Sequence, residues 1–186
     1  MTTLLSRFQG SLVGAVVGDC IGAVFEGLWV PGIAIEKILR LVKKIETAAG
    51  EANNAEKDTD ADNASKKKIW EFTDDTAMAR SVASSLIENK GLNSRDMAKR
   101  FVDEYFAEPH RGYGASVGVV FQSLKECDCL DLYGPASRQF DGSGSYGNGG
   151  AMRISPLALY GYKYNDQEKL KVFGLSVVDI YIVTVK

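Results

Sequence analysis

The sequence predicts an all-α domain, on two observations. Apolar residues recur at helical spacing along most of the chain, and no run of alternating apolar and polar residues bounded by turn signals indicates a strand. With 45% hydrophobic and 25% charged residues, the composition is that of a globular domain. The 186 residues match about one domain, and 22 basic against 24 acidic residues give a net charge of −2, which excludes a basic nucleic-acid-binding character for the whole chain.

The first predicted helix spans 4–25 and has an apolar face beside a glycine edge. That edge consists of four glycines spaced four residues apart, Gly10, Gly14, Gly18 and Gly22. Because glycine disfavours helices, the edge predicts very close approach by another helix or backbone segment. The apolar run contains Asp19, so we expect neither a signal peptide nor a membrane span.

A second helix is predicted over 33–45, after Pro31 and Gly32 interrupt the chain. Residues 46–68 have almost no large apolar side chain and are predicted to form a solvated insertion. Further helices are predicted over 74–89, from Asn93 or Ser94 to just before Pro109, over 115–125, over 151–164, and after a cap at Asp166.

Three local features carry candidate chemistry, and the first is Asp19 followed by Glu26 near the end of the glycine-edged helix. Thr73, Asp74 and Asp75 begin a predicted helix, where acidic residues favour the helix dipole and cap free amides. The same hydroxyl and carboxylate oxygens are also ligands that Mg²⁺ prefers, so capping and metal binding both remain open. The glycine-rich loop between 140 and 150 precedes a helix and suits an anion such as phosphate, although it lacks the P-loop lysine pattern.

Three segments in this order resemble the ADP-ribosylglycohydrolase family. They read GSLVGAVVGDCIGAVFE, FTDDTAMA and GSYGNGGAMR. Within the family, RGYGAS and QFDGSGSYGNGGAMRIS make the pattern most similar to the animal hydrolases that remove ADP-ribose from serine and degrade poly(ADP-ribose). The resemblance implies a compact, all-helical, magnesium-dependent hydrolase acting on serine-linked ADP-ribose, poly(ADP-ribose) or O-acetyl-ADP-ribose.

The resemblance also implies site residues. Glu26, Thr73, Asp74 and Asp75 would hold two Mg²⁺ ions, with Glu26 as the catalytic group beside the scissile bond and Asp74 also touching substrate. ADP-ribose would be lined by residues of the glycine-rich loop, namely Phe140, Ser143, Gly144, Ser145, Tyr146, Gly147, Asn148 and Gly149. Gly147 and Gly149 are expected to be needed because a side chain would forbid positive φ or block the amides that meet the phosphates.

The resemblance also implies an Asp-x-Asp-Thr segment near the C-terminus of family members that completes both metal sites, and nothing after Gly150 matches that segment. We therefore expect 1–176 to be the N-terminal part of one such domain and 177–186 to be a divergent tail. The alternative to hydrolysis is a truncated chain that at most binds ADP-ribose. Without the remaining helices, we expect Val82, Leu86 and the glycine edge to be partly exposed.

Partners and location follow from the same reasoning. The resemblance implies ADP-ribosylated proteins, poly(ADP-ribose) and ADP-ribose as partners, with no direct nucleic acid and no membrane. Three cysteines, Cys20, Cys127 and Cys129, form neither a disulfide framework nor a zinc-site pattern, which favours a reduced, intracellular protein. The nucleus and cytoplasm are the expected compartments, with the mitochondrial matrix as an alternative.

Overall fold

The structure, a computed structural model, describes residues 2–26, 35–55, 70–143 and 147–162, together with positions 171, 174 and 177. The described residues contain helices and no strand, so the all-α prediction is confirmed. The chain divides into two compact units, Met1–Ala23 with Glu71–Lys186, and Val24–Trp70.

Helix α1 (Leu4–Gly22) continues as a 3-10 helix (Ala23–Phe25), and α2 (Ile35–Ala55) lies in the second unit. The first unit resumes with α3 (Asp74–Glu88), α4 (Ser94–Ala107), α5 (Val117–Glu126), α6 (Gly134–Ser137), a 3-10 helix (Gln139–Gly142), α7 (Gly149–Met152) and α8 (Ser155–Gly161). The predicted N-caps of α3 and α4 are confirmed: Thr73 Oγ1 accepts from the amide of Asp75, and Asn93 caps α4 by accepting from Asp96 N.

The core of the first unit lies between α3, α4 and α5, with α7 and α8 packed on α3. Its largest fully buried apolar side chains are Phe101, Phe121 and Met78. Val82 and Leu86 are also buried, at 0% and 1% exposure, so the prediction that they would be partly exposed is wrong. The reason is that α4, α7 and α8 already contact α3 within this chain.

Helix α1 differs from the core helices, because Asp19 is its one buried residue. Leu4–Phe25 is the one helix of the described ranges that is long and apolar enough to cross a membrane, with a mean hydropathy of 1.5 over its best window; core helices of soluble proteins pass the same test. A Cβ added at Gly10, Gly14, Gly18 or Gly22 would meet no described atom within 4 Å. The predicted close approach along the glycine edge is therefore wrong for the described part of the chain, whereas the expected exposure of that edge is confirmed.

Other helix boundaries differ from the sequence prediction. α2 continues past Ile45 to Ala55, and residues 46–50 of it are exposed. The predicted helix 151–164 is instead α7 and α8, because Pro156 cannot continue a helix through its own position but fits the first turn of a new one. The helix after Asp166 and the tail beyond Val177 lie outside the described residues.

Candidate functional site

The candidate site begins where Asp19 of α1 meets the first turn of α3. The Thr73 amide lies 3.0 Å from each carboxylate oxygen of Asp19, and the Thr73 hydroxyl donates to Oδ1 at 2.7 Å. The amide of Thr76 donates to Oδ2 at 3.1 Å. A carboxylate from another helix thus caps α3, in addition to the cap that Thr73 supplies itself.

Arg111 holds the same turn from another side. Its guanidinium donates to the carbonyl of Phe72 at 2.9 Å and lies 3.9 Å above the Phe72 ring. Its own carbonyl accepts from the amide of Asp74 at 2.7 Å. Glu108 fixes the guanidinium with two hydrogen bonds, of 2.6 and 2.9 Å, so this short turn is positioned by both side-chain and backbone contacts.

The two carboxylates that follow Thr73 differ in exposure. Asp74 is 7% exposed, whereas Asp75 is half-buried. Burial, and then the nearby charge of Asp19, raise the pKa of Asp75 above its usual value. Two nearby carboxylates repel each other, and a cation bound between or beside them would offset that repulsion and stabilise the charged form of Asp75.

A cavity of about 450 Å³ opens beside this turn. Asp19, Asp75 and Arg80 contribute its charged groups, and Ser155 of α8 adds a hydroxyl. Most of the remaining lining is apolar and comes from α1, α3, α7 and α8: Leu12, Ala15, Val16, Ala79, Ala83, Met152 and Pro156. The cavity therefore joins the acidic turn to the helices that follow the glycine-rich loop.

The predicted substrate loop is described only in part, because residues 144–146, hence Gly144, Ser145 and Tyr146, lie outside the described residues. Phe140 is 52% exposed and adopts φ 51°, a left-handed conformation that non-glycine residues rarely take. The Ser143 hydroxyl donates to the Phe140 carbonyl at 2.7 Å, which closes this turn on itself.

The end of the loop packs into the domain. Gly147 and Asn148 are exposed, whereas Gly149 is buried at the start of α7, which contacts α3. Because Gly149 lies in a helix, the positive-φ explanation for a glycine there is wrong. The loop and the acidic turn are thus brought onto neighbouring helices.

Glu26 follows the 3-10 helix Ala23–Phe25 and its side chain is exposed. It belongs to the unit Val24–Trp70, whereas Thr73, Asp74 and Asp75 belong to the other unit. Its predicted roles as catalytic group and metal ligand remain predictions.

The donors of the acidic turn fit Mg²⁺ in kind, since they are hydroxyl and carboxylate oxygens. They do not complete a site by number: among the described residues, no three His, Cys, Asp or Glu side chains come together in a metal-binding group. Sequence reasoning singled out Asp19 but gave it no role in the site, and it missed the contribution of Arg111. An acidic residue within an apolar helix was the available signal for Asp19, whereas no motif pointed to the backbone contacts of Arg111.

Comparisons with known proteins agree with this picture. The family model for ADP-ribosylglycohydrolase matches residues 1–180. The chain is 42% identical to the ADP-ribosylhydrolase ARH3 of Gallus gallus over 91% of its own length and 43% of the relative's. It is 39% identical to the ADP-ribosylhydrolase ARH3 of Homo sapiens over 89% of its own length and 42% of the relative's. The chain thus spans less than half the length of these curated relatives.

Proposed function

The chain belongs to the ADP-ribosylglycohydrolase family, and from that membership we propose that its site serves the hydrolysis of ADP-ribosyl linkages. The substrates we propose are proteins ADP-ribosylated on serine, poly(ADP-ribose) and O-acetyl-ADP-ribose. The observation that carries the proposal is the turn Thr73–Thr76, whose amides and hydroxyl are tied to Asp19 while Asp75 borders the adjoining cavity.

In this proposal Thr73, Asp74 and Asp75 would hold Mg²⁺, and the family resemblance implies Glu26 as a further ligand. When bound, the metal supplies orientation of the ribose hydroxyls and stabilisation of the charge that develops at the anomeric carbon. The donor chemistry of the turn and the position of Asp75 on the adjoining cavity support this assignment.

The chain's own residues have distinct proposed tasks. Glu26 moves a proton to or from the reacting water or leaving group, as a carboxyl does in glycoside hydrolysis. Phe140 forms an apolar wall for ADP-ribose, and its exposed, left-handed turn supports a role outside the core. Loop residues 143–149 bind the remainder of the nucleotide.

The second candidate function is binding of ADP-ribose without turnover. It is favoured by the exposed, left-handed turn at Phe140, which the proposal assigns to binding and not to proton transfer. For the location of the protein we propose the nucleus and cytoplasm, with the mitochondrial matrix as an alternative.

A paired assay tests the proposal. The purified 186-residue chain is incubated with a serine-ADP-ribosylated peptide and Mg²⁺, and released ADP-ribose is measured. We expect release that Glu26→Gln reduces by at least about a hundredfold, the usual scale for a lost acid–base group. Glu36→Gln, at an exposed glutamate of α2, is the matched control and should retain full activity.

Calorimetry with ADP-ribose separates the two candidates. Binding without release favours the binding function, whereas release that is equal in Glu26→Gln and the unaltered chain contradicts the role of Glu26. Neither binding nor release by a folded monomer contradicts both candidate functions.

A further inference from the structure

We infer that Asp19 is a positioning residue of the site: it fixes the hydroxyl and backbone of Thr73 so that the turn presents its oxygens to a divalent cation. This inference rests on the proposed function and adds a residue to it. Asp19 comes from α1, which is distant in sequence from the turn, and it is 8% exposed.

The contacts of Asp19 identify it as an acceptor for the turn. Its hydrogen bonds come from the Thr73 amide, the Thr73 hydroxyl and the Thr76 amide. Both carboxylate oxygens are therefore engaged by N–H and O–H donors. Asp19 therefore acts by holding the residues of the turn in place, whereas a metal ligand directs its own lone pairs at the metal.

The Thr73 hydroxyl explains how Asp19 acts on the site. A hydroxyl has one hydrogen, and at 2.7 Å that hydrogen is directed at Asp19 Oδ1. Towards its other neighbours Thr73 Oγ1 therefore presents lone pairs, as it does to the amide of Asp75 at 3.3 Å. A metal ion requires the same orientation, because it binds the oxygen and not the hydrogen.

Asp19 also fixes the start of α3 against α1. The Thr73 and Thr76 amides flank Asp74 and Asp75 in sequence, so anchoring both ends restricts the backbone that carries these carboxylates. Residues that hydrogen-bond to a metal ligand and hold it in place typically affect metal affinity by about 10- to 100-fold.

The test measures Mn²⁺ binding to the purified chain by the loss of the free-ion electron paramagnetic resonance signal. We expect Asp19→Asn to weaken binding by about tenfold or more, since its amide NH₂ would face an N–H donor of the turn. Thr73→Val should weaken binding comparably, and Thr73→Ser should restore it. In the Thr73→Val background, Asp19→Asn should reduce Mn²⁺ affinity much less, because the hydroxyl through which Asp19 acts is absent.

A matched control separates positioning from stability. Asn93→Ala removes the corresponding side-chain cap of α4, so it should lower the melting temperature without changing Mn²⁺ affinity. Should Asp19→Asn fail to fold, Thr73→Val against Thr73→Ser carries the test, and equal affinities for these two overturn the inference.

The remaining outcomes are distinct. Mn²⁺ affinity within twofold of the unaltered chain in Asp19→Asn, or a fully additive double-mutant cycle, overturns the inference and leaves the proposed function in place. No Mn²⁺ binding by the unaltered folded chain overturns the proposed metal site and the inference together.

Discussion

Helices α1 and α3 belong to the same unit and contact each other, yet their apolar residues have opposite environments. In α3, Ala77, Met78 and Val82 are 0% exposed. In α1, Leu5 is 67% exposed and Val13 is 61% exposed. Apolar content therefore does not decide burial here; the number of neighbouring helices does, because α3 is covered by α4, α7 and α8 as well as by α1.

The attachment of the two helices differs accordingly. α3 is held by a continuous apolar core, whereas the hydrogen bonds described between α1 and α3 all end on the carboxylate of Asp19. Burial of a charged group is favourable only when its hydrogen bonds are satisfied, and the first turn of a helix provides amides that need an acceptor. A polar contact thus places the most apolar helix beside the candidate site.

The largest expected effect tests this contrast in stability. Met78→Ala should lower the free energy of unfolding by about 2–5 kcal/mol, because it removes a fully buried side chain and leaves a cavity. Leu5→Ala, the matched truncation on α1, should change it by less than about 0.5 kcal/mol. Urea denaturation followed by circular dichroism measures both. Comparable losses for the two variants would mean that α1 is covered in solution.

Much of the fold was predictable from the sequence, and α3 and α4 show why. Their apolar residues repeat at helical spacing and each helix has a capping residue, Thr73 or Asn93, so local signals fix both the type of element and its start. The glycine edge of α1 was misinterpreted as a close contact because spacing reports which residues share a face, not whether a neighbour covers it.

The sequence predicts the motif of the candidate site, but it does not predict the residues that hold this motif in place. Asp74 and Asp75 follow from the resemblance to a family, but Asp19 and Arg111 reach the turn through contacts between segments far apart in sequence. Such contacts depend on the packing of α1 and of the loop after α4, and no local pattern encodes them.

The second largest expected effect is on the pH dependence of stability, and it concerns the polar contacts that join α3 to α4. Burial raises the pKa of Asp96, but hydrogen bonds from Arg100 and Asn89 outweigh it and hold the pKa below its usual value. A depressed folded-state pKa gives stability that is present above the unfolded pKa of about 4 and is lost as pH falls through the lower folded value. Asp96→Asn should therefore reduce stability at neutral pH and flatten the decline in stability below about pH 4.

Thermal unfolding measured across this pH range tests that expectation. Asp103→Asn, on the exposed side of the same helix, is the control and should leave the pH profile unchanged. An unaltered profile in Asp96→Asn would show that the connection between α3 and α4 is apolar only.

The smallest expected effect on stability, and the sharpest test of the α1 surface, comes from making that surface polar. Leu5→Gln combined with Val13→Gln should change the free energy of unfolding by less than about 0.5 kcal/mol, since both residues are mostly exposed. The same double variant should bind less of an apolar fluorescent dye and sediment with less self-association, because it interrupts an exposed apolar surface.

Ile87→Gln on α3 is a control of matched exposure, 68% against 67% for Leu5, and should have a smaller effect on dye binding. Flotation with phosphatidylcholine vesicles distinguishes the alternatives for α1: vesicle binding lost in the double variant would indicate a membrane-associated helix, whereas dye binding equal to that of the unaltered chain would contradict an accessible apolar face.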